Sequence, residues 1–201
     1  MIKAVIFDIG GVVIDLKPWF NKFVKIFRPE NAEEFWKDFN AKVIPLCKNQ
    51  ISEKMFLNKL ATSYNIPFDN IPSDILVKDF EKLTSVNKHV MKIIKELKRK
   101  YKLALLSNTI NSHSKSIKKK INYDYFDLII LSNKIGLTKD QKEIFLLVAK
   151  KLNVKTSECV FVDDIQEFIK VSESAGMKGI LFKNPEQLKR ELRKLLCQKI
   201  K

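Results

Sequence analysis

Short, continuous runs of apolar residues at 4–7, 103–106, 128–131, 160–162 and 179–182 constrain this chain more than any other feature. Their continuity, without in-out alternation, is the pattern of strands covered on both faces. Segments of helical period lie between them. Val90, Ile93, Ile94 and Leu97 repeat at i, i+3, i+4 and i+7, and Ile144, Val148 and Leu152 mark another apolar stripe. Leu188, Leu192, Leu195 and Leu196 mark the last, opened by Asn184 as N-cap with Pro185 at the first helical position. Strands alternating with helices predict an α/β fold, a Rossmann-like parallel sheet with right-handed crossovers.

The rhythm breaks once, over about 17–84, where several helical patterns replace any convincing strand. Ala32, Phe35, Trp36, Phe39 and Val43 share one face, started by Asn31 with Glu34 three residues later, which resembles a capping box. Ser52 and Ser73 read as further N-caps, and Pro67 and Pro72 as breaks between helices. The expectation is a core domain from 1–15 and 86–201 with a helical cap domain, 16–85, inserted after the first strand. The aromatic stripe of Trp19, Phe23, Phe27 and Trp36 reads as the core of that bundle.

Composition narrows the partners. With 38 basic against 23 acidic residues the chain carries +15, which favours anionic ligands. The basic runs at 98–100, 118–120 and 189–194 read as solvated helix faces with no aromatic–basic RNA module, so nucleic acid is not the expected partner. Cys47, Cys159 and Cys197 form no CxxC pair, and His89 and His113 are the only histidines. A zinc site and a disulfide framework are therefore both disfavoured. The opening apolar run, 2–7, is too short for the hydrophobic region of a signal peptide, and no stretch approaches a membrane span. A cytoplasmic protein without a membrane partner is expected.

In a parallel sheet the strand carboxyl ends share one edge, and ligands bind there. The first strand delivers Asp8 and then Gly10 and Gly11 to it, the second delivers Ser107 and Asn108, and the fourth delivers Asp163 and Asp164. Lys139 lies in the loop beyond the third. Each alone reads as a cap or a solvated charge. Together they suit a phosphate and a hard cation: carboxylates crowded on one edge repel one another unless a cation such as Mg²⁺ neutralises them. Asp8 then serves as nucleophile, with Ser107, Asn108 and Lys139 holding phosphoryl oxygens.

These segments resemble, in order and along the whole chain, the motifs of the haloacid dehalogenase-like hydrolase superfamily. AVIFDIGGVVID is similar to the first motif, which places the nucleophilic aspartate at Asp8, and LALLSN is similar to the second, at Ser107. GLTKDQKEIF is similar to the third, at Lys139, with Asp140 where a proline is common. The run from VFVDD to GILF is similar to the fourth, at Asp163 and Asp164. The resemblance implies a Mg²⁺-dependent phosphatase acting through an aspartyl-phosphate on a small phosphorylated metabolite. It implies Asp8, the Gly10 carbonyl and Asp163 as metal ligands, with Asp164 acting through water, and a helical cap that helps choose the substrate.

One position departs from the pattern. Two residues after the nucleophile these phosphatases carry an aspartate that protonates the leaving oxygen and activates water, and here it is Gly10. General acid–base groups contribute about 10²–10⁴-fold, so reduced turnover is expected. A weakly catalytic binding protein of the same fold is the alternative. A 2-haloacid dehalogenase ranks lower: those enzymes use no metal and bind the substrate carboxylate with a cap arginine, and Arg28 is the only arginine in this insert.

Overall fold

The computed structural model of the chain describes residues 1–196; Cys197 and the basic tail to Lys201 lie outside the described residues. The central strand is β1 (Ala4–Phe7), the first of the apolar runs. After it come a two-residue β2 (Ile14–Asp15), four helices, and a two-residue β3 (Ser85–Val86). The helices are α1 (Lys17–Phe27), α2 (Ala32–Cys47), α3 (Glu53–Ser63) and α4 (Lys78–Leu83). The remainder alternates: α5 (Lys88–Leu97), β4 (Lys102–Ser107), α6 (Asn111–Lys120), β5 (Leu128–Leu131), α7 (Ser132–Ile135) and α8 (Lys142–Lys151). It closes with β6 (Cys159–Asp163), α9 (Gln166–Ser174), β7 (Lys178–Leu181) and α10 (Pro185–Leu196).

The main sheet has five parallel strands in the order β5-β4-β1-β6-β7. The chain builds β4 and β5 to one side of β1 and β6 and β7 to the other, so a crevice opens beyond the ends of the central strands. Side chains alternate between two covered faces. Val5, Phe7, Leu103, Leu105, Val160 and Val162 belong to one core cluster, and Ala4, Ile6, Ala104, Leu106, Cys159 and Phe161 to the other. Burying a side chain such as Phe7 or Phe161 contributes about 1.5–3 kcal/mol. The first cluster includes the buried faces of α5 and α10; the second includes those of α8 and α9.

The first cluster also runs without a break into α1–α4 through Ile14, Trp19, Phe23, Phe39 and Phe80. The insert therefore shares its core with the sheet. It is joined to the rest of the chain by the antiparallel pairing of β2 with β3, a feature that two-residue strands do not announce in sequence.

Three of the caps read from sequence form. Asn31 Oδ1 accepts from the Glu33 and Glu34 N–H groups at 2.9 and 3.2 Å, Ser52 Oγ from Met55 N–H at 3.1 Å, and Asn184 Oδ1 from Gln187 N–H at 2.8 Å. Ser73 does not cap a helix. The chain turns through 73–77 and α4 begins at Lys78, because the Ile75 carbonyl is taken by Trp19 Nε1–H at 2.8 Å. Among the described residues no helix is long and apolar enough to cross a membrane.

Candidate active site

Strand register sets the floor of the site. Phe7 lies opposite Leu105 of β4 and Val162 of β6, so Asp8 and Asp163 leave their strands side by side and Ser107 follows one residue further along β4. Asp8 N–H donates to the Val162 carbonyl at 2.9 Å, which fixes the carboxylate beside β6. The chain then turns sharply: Ile14 N–H donates to the Ile9 carbonyl at 2.7 Å and Gly11 N–H to the Ile14 carbonyl at 2.8 Å.

Lys139 is the centre of the charge arrangement. Only 2% of the residue is exposed, yet its ammonium lies 2.8 Å from Asp8 Oδ1 and 2.6 Å from Asp163 Oδ2. Its backbone N–H donates to Asn108 Oδ1 at 2.9 Å, and its Nζ sits 4.8 Å from the Phe168 ring centre. Asp163 is fully buried and its second oxygen accepts from Ile165 N–H at 2.9 Å. Burial alone would discharge this lysine, but Asp163 and Asp8 outweigh it and hold its pKa above the ordinary value.

The carboxylates show the opposite balance. Burial pushes the Asp8 carboxyl well up, against the pull of Lys139 and with the added repulsion of Asp163 and Asp164. Asp163 is raised by burial too, and Asp164, half-buried and next to Asp163, is pushed to about 7 by desolvation and by that neighbour's charge. The three aspartates offer oxygens within 4.8 Å of one another. Fully ionised, they carry an excess of negative charge that one lysine leaves uncompensated. That donor set fits a hard divalent cation, which prefers carboxylate oxygens and favours their ionised form.

All the strand-end residues anticipated from sequence meet here. Asp8, Gly10, Ser107, Asn108, Lys139 and Asp164 line one cavity of about 70 Å³, and Asp163 is reached through Lys139. Ser107 is buried, and its hydroxyl makes only a long contact of 3.4 Å to the Asn108 carbonyl. The Asn108 amide nitrogen is buried without a hydrogen-bond partner among the described residues, a donor left free at the cavity wall. Asp164, expected behind a water, stands in the same cluster as Asp8 and Asp163.

The roles of Gly11 and Trp36 do not follow from the sequence. A Cβ on Gly11 would lie 2.0 Å from Asp164 Oδ2, so the carboxylate rests in the space that glycine leaves, with Gly11 at φ +80°. The adjacent GG pair was the signal, but sequence alone does not say which glycine is obligatory. Trp36 was read as bundle core and is instead half-buried: its ring stacks on Phe39 at 5.5 Å, and it lines the cavity beside Asn40, Val43 and Ile44. Its position between Phe35 and Phe39 on α2 gave no hint of this. Arg28, exposed at the end of α1, does not line this cavity.

The sequence profile of the haloacid dehalogenase-like hydrolases matches residues 2–176. The chain belongs to that family. It is 26% identical over 212 residues to the D-ribitol-5-phosphate phosphatase of Bacteroides thetaiotaomicron, covering 98% of this chain and 99% of that one. It is 23% identical over 181 residues to the phosphorylated carbohydrates phosphatase of Thermotoga maritima, covering 89% and 83%. The structure of a family enzyme from B. thetaiotaomicron in complex with magnesium superposes with a TM-score of 0.67, at 25% identity, covering 90% of this chain and 93% of that one. The fold and hydrolase membership expected from the motifs hold.

Proposed function

We propose that this hydrolase is a Mg²⁺-dependent phosphatase of small phosphate monoesters, working through an aspartyl-phosphate on Asp8. The observation that carries the reading is the buried ammonium of Lys139, within 2.8 Å of Asp8 and 2.6 Å of Asp163, at the mouth of the central strands. The phosphatase relatives and the magnesium complex of the similar structure support it.

In this reading an Asp8 carboxylate oxygen attacks phosphorus, and the bond from phosphorus to the ester oxygen breaks. Lys139, Ser107 and the free Asn108 amide donate to the phosphoryl oxygens as charge moves onto them. The departing alkoxide takes its proton from water, because Gly10 offers none. Water then attacks phosphorus, releasing inorganic phosphate and restoring the Asp8 carboxylate. Asp8, Asp163, Asp164 and the Gly10 carbonyl would hold the Mg²⁺, which supplies positive charge against the incoming phosphate.

We assign the catalytic core to 1–15 and 86–201 and the cap to 16–85, with the β2–β3 ribbon as their hinge. The chain is expected to act in the cytoplasm. A panel of primary-alcohol phosphates, assayed with Mg²⁺ and with a chelator, tests the activity: metal-dependent phosphate release is expected. Tight binding of phosphate esters without turnover would favour the binding-protein alternative that Gly10 motivates.

A further inference from the structure

The inner cavity opens into a cleft of about 670 Å³ between α2 and the start of α9, with Trp36, Asn40, Ile44, Asp164, Ile165 and Phe168 lining both spaces. A phosphate held at Asp8 can extend the rest of its ester along this cleft. The volume is ample for a small organic group. Its walls therefore decide which alcohols fit.

The α2 wall is flat and apolar. Trp36, Val43 and Ile44 line the inner cavity, and Asn40 is the single amide that α2 adds to it. The indole is braced by Phe20, with ring centres 4.2 Å apart, and by Phe39 at 5.5 Å, so the ring is held rigidly at the cavity. Phe168 and Ile165 close the opposite side. Against the α2 wall a polyol would lose water from several hydroxyls and find Asn40 as the one polar side chain, which costs affinity, while an apolar body would bury its surface at no such cost.

The rim is acidic although the chain as a whole carries +15. Among the described residues, Glu33, Glu167 and Asp140, the last 3.8 Å from Lys48, line the cleft beyond the metal cluster, with Lys37 as the one lining cation. Lys37 is itself engaged with Glu33 at 3.1 Å. A second phosphate or carboxylate on the substrate would meet mostly like charge, with the one lining lysine already paired.

Resting on the phosphatase reading above, we propose that the substrate is the phosphate monoester of an apolar, flat alcohol bearing no second anionic group, selected by Trp36 and the acidic rim. The test uses the full chain with Mg²⁺ and alkyl phosphates whose leaving oxygens are all primary: 2-phenylethyl phosphate, ribitol 5-phosphate and fructose 1,6-bisphosphate. Matched leaving groups separate wall recognition from any effect of Gly10. kcat/KM for 2-phenylethyl phosphate is expected to exceed that for ribitol 5-phosphate by roughly tenfold or more, the scale of hydrophobic-pocket discrimination. The bisphosphate should be the poorest of the three.

Trp36→Ala should erase most of that preference, Trp36→Phe should keep it, and Asn40→Leu should widen it. Glu167→Gln combined with Glu33→Gln should improve the bisphosphate selectively. Calorimetric binding of the same esters to Asp8→Asn should give the same order. Preference for ribitol 5-phosphate, or equal losses on all esters in Trp36→Ala, would overturn the proposal. If nothing is hydrolysed but the binding order holds, the phosphatase reading falls while the assignment of the wall stands.

Discussion

The floor of the cleft and the wall above it solve different problems with different residues. The floor gathers Asp8, Asp163 and the half-buried Asp164 at strand ends around the buried Lys139 from the loop before α8, and it is electrostatically tense. The wall comes from the insert and is made of rings and branched chains around Trp36, continuous with the core beneath α1–α4. The floor's geometry follows from strand register, which leaves little freedom. The wall's geometry follows from how helices pack on the sheet, which can change while the chemistry below persists. In the function proposed above, chemistry and selection therefore divide between strand ends and a helix face.

The largest effect should come from the floor. Asp8→Asn keeps the volume of the side chain but removes the nucleophile, and turnover on any phosphate ester should fall by roughly 10⁴-fold or more. Thermal unfolding monitored alongside should show that the variant remains folded. Residual activity within tenfold of the parent would break the assignment of the floor.

Lys139→Met probes the charge balance. Removing the cation leaves the carboxylates without compensation in a buried space, at a cost of about 3–5 kcal/mol. Denaturant unfolding should register that loss, and Mg²⁺ should recover part of it. Equal stability of the variant with and without Mg²⁺ would argue against a cation among the aspartates.

The junction between wall and core gives a pH signature. His113 of α6 is stacked on Phe80 at 3.6 Å and lies edge-on to Trp19 at 5.3 Å, its Nε2 without a partner among the described residues. Burial depresses its pKa from 6.5 to about 3. The unfolded chain therefore binds this proton first, and the contribution to stability is full above pH 6.5 and is lost as the pH falls toward 3. Between pH 6.5 and 5 the loss amounts to about 2 kcal/mol. His113→Phe should flatten that part of the pH–stability curve, and an unchanged slope would contradict the account.

The smallest effects distinguish the adjacent glycines. Gly10 does not have a left-handed φ, and a Cβ there would meet only the Leu16 side chain, Cδ1 at 2.8 Å and Cγ at 3.6 Å, whose far end is flexible. Gly10→Asp should therefore fold and raise turnover on alkyl phosphates by about tenfold or more. Gly11→Ala should do the reverse: it displaces Asp164 and adds about 1–2 kcal/mol of backbone strain. Paired steady-state assays read both, and a loss of activity in each would show that the turn tolerates no side chain at all.

The same contrast explains what sequence reasoning could see. Asp8, Ser107 and Asp163 were legible because a buried strand that ends in a polar residue delivers it to a known edge, and parallel register then brings the edges together. The wall was not legible. Helical period says that Trp36 and Asn40 share a face, but not that α9 lies across from them. The helix α6 was equally hidden, since it buries Ser114, Ser116 and Ile117 within an otherwise lysine-rich segment and shows no apolar stripe. Ser73 misled because its surroundings resemble a helix start, while the carbonyl of Ile75 was already committed to Trp19. The caps that held, at Asn31, Ser52 and Asn184, are those whose hydrogen bonds are local to the chain.

The central claim is that Asp8 is phosphorylated during turnover. Acid quenching of the protein during reaction with a phosphate monoester and Mg²⁺, followed by peptide mass spectrometry, tests it directly. A phosphoryl group on the peptide containing Asp8, on the carboxylate itself and absent from Asp8→Asn, is the expected result; with Gly10 in place of an acid–base group, its breakdown is slow enough for it to accumulate. Phosphate release at undiminished rate from Asp8→Asn, with no adduct on that peptide in the parent, would contradict the account.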